Sequence, residues 1–170
     1  MGCSWQREFI SFPKADINTQ EVEALKKRIE RRLPKIDFQA EIAMKRSFNF
    51  SSVQLVDWLD IRARIEYSSN VTEQLKGTLD YYLSSSHNLL IVEAKREDLD
   101  NGFTQLAVEL IAVQQWLETE EPLFGAIATG TIWQFGIFDP LKQEVTQDLN
   151  LYCVPADLHE LLAILVKILE

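Results

Sequence analysis

Cysteine is almost missing from this chain: Cys3 and Cys153 are the only two among 170 residues. Two thiols so far apart show neither a disulfide framework nor metal-ligand spacing. Cys3 reads as an exposed thiol in a loose terminus, and Cys153, inside an apolar run, as a core residue. Glycine and proline are also sparse, at six and five, while 46% of the residues are hydrophobic. That balance suits one globular domain over 1–170 with a full core. No apolar stretch approaches the roughly 20 residues of a membrane span, so a cytoplasmic protein with no membrane segment is expected. The start, Met-Gly-Cys-Ser-Trp-Gln, lacks the Ser or Thr at the sixth position that N-myristoylation requires.

Positive charge is short as well. Seventeen Lys and Arg face 26 Asp and Glu, giving a net charge of −9 and a pI near 4.8. A general nucleic-acid binder normally carries a basic field, so the total argues against one. Placement qualifies the total. Lys26, Lys27, Arg28, Arg31, Arg32 and Lys35 gather on one expected helix, with Lys45 and Arg46 following. Such a run can track phosphates, or it can be a solvated face balanced by Glu21, Glu23 and Glu30.

What the chain does have is a clear alternation of periods. Thr19 is placed to cap a helix from Gln20 to about Leu33, with Val22, Leu25, Ile29 and Leu33 on one face and Pro34 as its stop. Residues 36–48 are compatible with a second helix. Val53 to Leu59 is apolar enough to be buried, and Arg62 to Tyr67 alternates like a strand that turns at Ser68-Ser69-Asn70. A further strand starts near Glu73 and carries Gly77 to Leu83. After it come a helix from about Phe103 to Leu117 with a 3.6-residue apolar stripe, a buried strand from Leu123 to Ala128, and an aromatic strand from Thr131 to Phe138. Trp133, Phe135 and Ile137 alternate onto one face there. Short strands around Glu144–Thr146 and Leu149–Val154 would add an antiparallel edge. Asp157 and Glu160 have capping-box spacing at the start of a last helix so apolar that the sheet or another subunit must cover it.

The stretch from Gly77 to Gln105 organises the rest. Asp80 lies on one apolar strand, and a second, after the polar bend Ser84-Ser85-Ser86-His87-Asn88, ends in Glu93-Ala94-Lys95. Glu93 and Lys95 share a face because strand residues alternate. If the strands pair as a hairpin, Asp80 can sit across from that face. Charged groups on such apolar strands are costly to half-bury without partners. They can be a structural ion pair at a sheet rim. They can equally be a divalent-metal site, since two carboxylates and the intervening carbonyl are the hard oxygen ligands that Mg²⁺ accepts.

Asp80, followed thirteen residues later by Glu93-Ala94-Lys95, resembles the D…(D/E)-x-K signature of the PD-(D/E)xK nuclease superfamily. Gly77-Thr78-Leu79-Asp80-Tyr81-Tyr82-Leu83, Ile91-Val92-Glu93-Ala94-Lys95, Gln105 near a helix start and Ala128-Thr129-Gly130-Thr131-Ile132-Trp133 keep an order similar to the N-terminal nuclease domain of type I restriction motor subunits. The likeness runs from about Gly77 to Phe138. Leu79 departs from it, standing where many members carry proline.

The resemblance implies an α/β fold with a restriction endonuclease-like core, a central mixed β-sheet flanked by α-helices. It implies Mg²⁺, or Mn²⁺, held by Asp80, Glu93, the Ala94 carbonyl and a helix glutamate, for which Glu41 is the choice over Glu23, Glu30 and Glu66. Lys95 would position a water and Gln105 would support the substrate, which makes DNA phosphodiester hydrolysis the expected activity. The alternative is a restriction-like scaffold with a vestigial site, acting as an accessory module. A protein partner or a homodimer would then use the apolar C-terminal helix. His87 and His159 are given no catalytic role.

Overall fold

Val22, Leu25 and Ile29 supply the one apolar face of an otherwise charged segment, and that face is what the first helix buries. The computed structural model describes residues 2–35, 62–70, 76–84, 89–94, 99–129 and 131–170; between 62 and 94 it gives backbone pairing, with Leu83 the one side chain described. Helix α1 spans Thr19–Arg32. Its cap is Asn18, not Thr19: the Asn18 side-chain oxygen accepts from the backbone N–H of Gln20 at 3.0 Å and of Glu21 at 3.4 Å. Asn18 is extended, the backbone geometry a capping residue needs, while Thr19 is already helical.

Eight strands form one mixed sheet among the described residues: β1 (Ser4–Glu8), β2 (Arg62–Asn70), β3 (Lys76–Ser84), β4 (Leu89–Ala94), β5 (Leu123–Ala128), β6 (Ile132–Asp139), β7 (Glu144–Asp148) and β8 (Tyr152–Cys153). Their spatial order is β1-β7-β6-β5-β4-β3-β2, with β8 attached to β6. β1 pairs parallel with β7 and β4 parallel with β5, whereas the remaining pairs are antiparallel. Helix α2 (Leu99–Leu117) links the parallel neighbours β4 and β5, and α3 (Leu158–Leu169) ends the chain. The expected α/β class with a mixed sheet and flanking helices is therefore what the chain adopts.

The sheet separates two cores. On one face Phe103, Leu106 and Leu110 of α2 pack with Ile127, Phe138 and Val145. On the other, α1 and α3 pack with Leu83, Ala126, Ala128, Trp133 and Phe135. Parity along each strand produces this sorting, because successive residues point to opposite faces. Trp133, Phe135 and Ile137 share a face as their alternation requires. α3 has nine buried residues in twelve, taken up by this chain's own sheet and α1. The apolar C-terminal helix thus presents no large apolar face for a homodimer.

Several boundaries differ from expectation for identifiable reasons. β2 continues through Ser68, Ser69 and Asn70, which pair with Thr78, Gly77 and Lys76; the ladder overrides the turn preference of these residues. α2 begins at Leu99, four residues early, where Leu99 packs on the core and Asp100 pairs with Arg7 of β1. Its stripe also drifts, burying Ala112 and Val113 and leaving Leu117 exposed. The Asp157–Glu160 capping box does not form. Asp157 instead accepts the Cys153 N–H, and Glu160 pairs with Lys14. Cys153 is exposed, not core, because its neighbour Tyr152 takes the inward position of β8. The suggested helix over 36–48, the segment 53–59 and the strand start near Glu73 lie outside the described residues. Among those residues no helix is long and apolar enough to cross a membrane.

Gly125 and Gly136 are register partners on β5 and β6, directly under α2. A Cβ on Gly136 would lie 2.5 Å from the Phe103 ring, and one on Gly125 would lie 2.8 Å from Leu106. The absent side chains set how closely the helix approaches the sheet. Gly136→Ala forces the Phe103 ring aside and is expected to cost about 1–3 kcal/mol of unfolding free energy. A urea midpoint equal to that of the parent would show that the ring yields freely.

Asp148, at the end of β7, has no exposed surface. One carboxylate oxygen accepts from the Ile10 N–H at 3.1 Å and from the Asn150 backbone and side-chain nitrogens at 3.0 and 2.8 Å, fastening the 9–10 and 149–150 segments together. The other oxygen is buried with no hydrogen-bond partner. Burial pushes the Asp148 pKa up, and the hydrogen bonds offset this only in part. The folded state therefore holds this proton more tightly than the unfolded chain does. Asp148's contribution to stability is full below the unfolded carboxylate value, falls as pH rises through the raised folded value, and is flat above it. Urea midpoints followed from pH 3.5 to 7 should show this decline, and Asp148→Asn should remove it. Parallel profiles for the two proteins would contradict the assignment.

Candidate functional site: the β2–β3–β4 face

The β3–β4 hairpin pairs Tyr81 with Val92, Tyr82 with Ile91 and Leu83 with Leu90. Asp80 and Glu93 each stand one residue beyond the Tyr81–Val92 pair, so the hairpin brings these two positions opposite each other. On the other side of β3, Ile65 pairs with Tyr81 and Tyr67 with Leu79. Glu66 and Asp80 are the residues between those pairs. Acidic positions on three neighbouring strands therefore form one row across the sheet, with strands spaced about 4.8 Å apart.

Two independent counts place the row on the α2 face. Leu83 packs in the core beneath α1 and α3, and position 80, three residues away, has the opposite parity. Position 93 is the register partner of Ile127, which packs against α2. Like charges directly opposite one another in a sheet are destabilising.

Gln105 lies on α2, in its second turn because the helix starts at Leu99. Its side chain is exposed, and its amide Nε2 donates to Glu109 Oε1 at 3.3 Å. Glu109 is only 7% exposed, on a helix whose buried neighbours are Leu106, Ala107 and Leu110. Gly102, Glu109 and Ala112 flank one side of the apolar stripe, opposite the Phe103 side that faces β6. Sequence reasoning passed over Glu109. The available signal was a glutamate breaking an apolar stripe four residues after Gln105, the spacing at which helix side chains meet. Ala94 is the last residue of β4, paired with Ala128. Lys95 and Glu41 lie outside the described residues. Among the described residues no group of three His, Cys, Asp or Glu side chains is placed to hold a metal ion.

The basic helix does not share this face. Lys27, Arg28, Arg31, Arg32 and Lys35 are exposed on α1 and the turn after it, while the buried side of α1 packs into the α3 core across the sheet. A phosphate backbone following these cations would have to pass around a sheet edge to reach positions 80 and 93.

No family model, curated protein or solved structure matches the chain.

Proposed function

We propose that the chain is a metal-dependent phosphodiesterase acting on DNA, with Asp80, Glu93 and the Ala94 carbonyl as ligands for Mg²⁺ or Mn²⁺ and an additional glutamate completing the set. The observation that supports this reading most is the hairpin register, which leads from the Tyr81–Val92 pair directly to Asp80 and Glu93. The order hairpin, α2, then β5 parallel to β4 also agrees with a restriction endonuclease-like core. For the additional glutamate, the resemblance favours Glu41 and the strand register favours Glu66.

When bound, the cation would supply Lewis-acid stabilisation of negative charge on the phosphoryl oxygens. Lys95 would donate to the attacking water or to a phosphoryl oxygen, at the point where charge develops. Gln105, exposed on α2 above the same face, would hold a substrate phosphate through its amide.

The acidic net charge and the position of the basic helix favour a second reading, a restriction-like scaffold that recruits a protein partner. Incubation of the full chain with supercoiled, linear and single-stranded DNA, with Mg²⁺, Mn²⁺ or EDTA, separates the two. Cleavage that requires the cation is expected. Absence of cleavage, with no Mn²⁺-induced broadening of β3 and β4 amide resonances, would leave the scaffold.

A further inference from the structure

On the sheet face away from positions 80 and 93, the segment between β1 and α1, the loop after β7 and the start of α3 line an open pocket of about 410 Å³. That volume lies within the range of small-molecule sites. Phe9, Phe12 and Tyr152 give it aromatic walls, and Lys14, Asp157 and Glu160 give it charge. Tyr152 is 94% buried, at 6% exposure. Its ring is held edge-on to Phe135 at 5.4 Å, yet its hydroxyl makes no hydrogen bond among the described residues. The ring is buried while the hydroxyl is the polar tip that the residue presents to the space a ligand would fill.

The charge around that hydroxyl has one prevailing sign. Glu160 uses one oxygen for Lys14, and Asp157 uses one for the Cys153 N–H. Each carboxylate keeps a second oxygen, and Asp148 lies behind the wall, bonded to Ile10 and Asn150 of the lining. Burial first, and then Asp148, Glu160 and Asp157, push the Tyr152 pKa up to about 12. The phenol is therefore neutral at physiological pH, with its oxygen available as an acceptor. Aromatic faces and excess carboxylate together attract cations, while acceptor oxygens require a ligand that brings N–H donors.

We propose that this pocket binds a primary ammonium group carried on a short apolar body. The ammonium would sit among Tyr152 Oη, Asp157 and Glu160, and the body would lie against Phe9 and Phe12. This site is independent of the proposed phosphodiesterase centre and stands or falls separately.

Three probes with one body and different charge test it: 2-phenylethylamine, 2-phenylethanol and phenylacetate, titrated into the full chain at pH 7.5 and followed by shifts of the Tyr152 and Asn150 resonances. The amine is expected to bind at least about tenfold more tightly than the alcohol, with phenylacetate weakest, because charge-assisted hydrogen bonds are roughly twice as strong as neutral ones. Tyr152→Phe and Glu160→Gln should each weaken the amine severalfold. Lys14→Gln, at an exposed lysine, should tighten it severalfold. Opposite signs for Lys14 and Glu160 cannot arise from loosened packing alone. Equal affinity for the three probes, no response to the amine, or weaker amine binding by Lys14→Gln would each overturn the proposal.

Discussion

Asp80→Ala is expected to abolish cation-dependent DNA cleavage, lowering the rate about a thousandfold or more. Lewis-acid stabilisation is worth several kcal/mol, and each ~1.4 kcal/mol is a factor of ten in rate. Glu93→Ala should act alike, since both residues are assigned to one cation. The double variant should therefore lose little more than either single one, as groups acting as a unit are not additive. Lys95→Ala should spare cation binding while slowing cleavage about 100-fold, the order expected for removal of one electrostatic donor. Glu66→Gln and Glu41→Gln assign the additional ligand. The register opposite Asp80 predicts the larger loss for Glu66. Initial rates on plasmid DNA, beside Mn²⁺ titration of each variant, provide the measurements. Undiminished cleavage in both Asp80→Ala and Glu93→Ala would remove the proposed centre. Because like charges facing one another across strands destabilise a sheet, these variants should unfold no more easily than the parent when cation is absent. Lost activity would then not be lost fold.

Phe135→Ala is expected to produce the largest loss of stability among single changes, about 3–5 kcal/mol. Phe135 is fully buried on β6, in ring contact with Phe12 at 5.0 Å and Tyr152 at 5.4 Å. It thereby joins the 9–12 segment, the sheet and β8 in a single cluster that also receives α1 and α3. Truncation would leave a cavity that three separate segments must collapse to fill. Domains are typically stable by only about 5–15 kcal/mol, so a substantial fraction of the variant could be unfolded at 37 °C. Phe9→Ala makes a suitable contrast: Phe9 is 74% exposed, and its loss should cost under about 0.5 kcal/mol. Similar urea midpoints for Phe135→Ala and the parent would mean that the cluster does not hold these segments together.

Periodicity made the middle and end of the chain readable. The stripe of α2, the alternation of Trp133, Phe135 and Ile137 and the apolar run of α3 each report burial, and each marks an element that forms, although α2 starts four residues before its stripe. Capping was less legible because it depends on backbone geometry. Asn18 and Thr19 are both good caps by type, and only the extended conformation of Asn18 distinguishes them. Asp157 has the right spacing to Glu160, yet both side chains have partners elsewhere. β1 was invisible for another reason. Its residues Ser4–Glu8 are all exposed, so no alternation of burial marks them, and their partner is far along the sequence. In the candidate site, an apolar–polar–apolar pattern marks the β3–β4 hairpin that the chain forms. The place of Glu66 opposite Asp80 is not legible there, since registry between β2 and β3 cannot be read from composition.

The pairing of β1 with β7 has a consequence for biosynthesis. Ser4 meets Glu144 and Glu8 meets Asp148, so β1 has no partner until about 140 further residues have been translated. At about 5–20 residues per second, Trp5 and its neighbours wait for roughly seven seconds or longer after synthesis. The sheet is then sealed by one of the most distant pairings this chain contains, a late, slow closure of the kind that high contact order imposes.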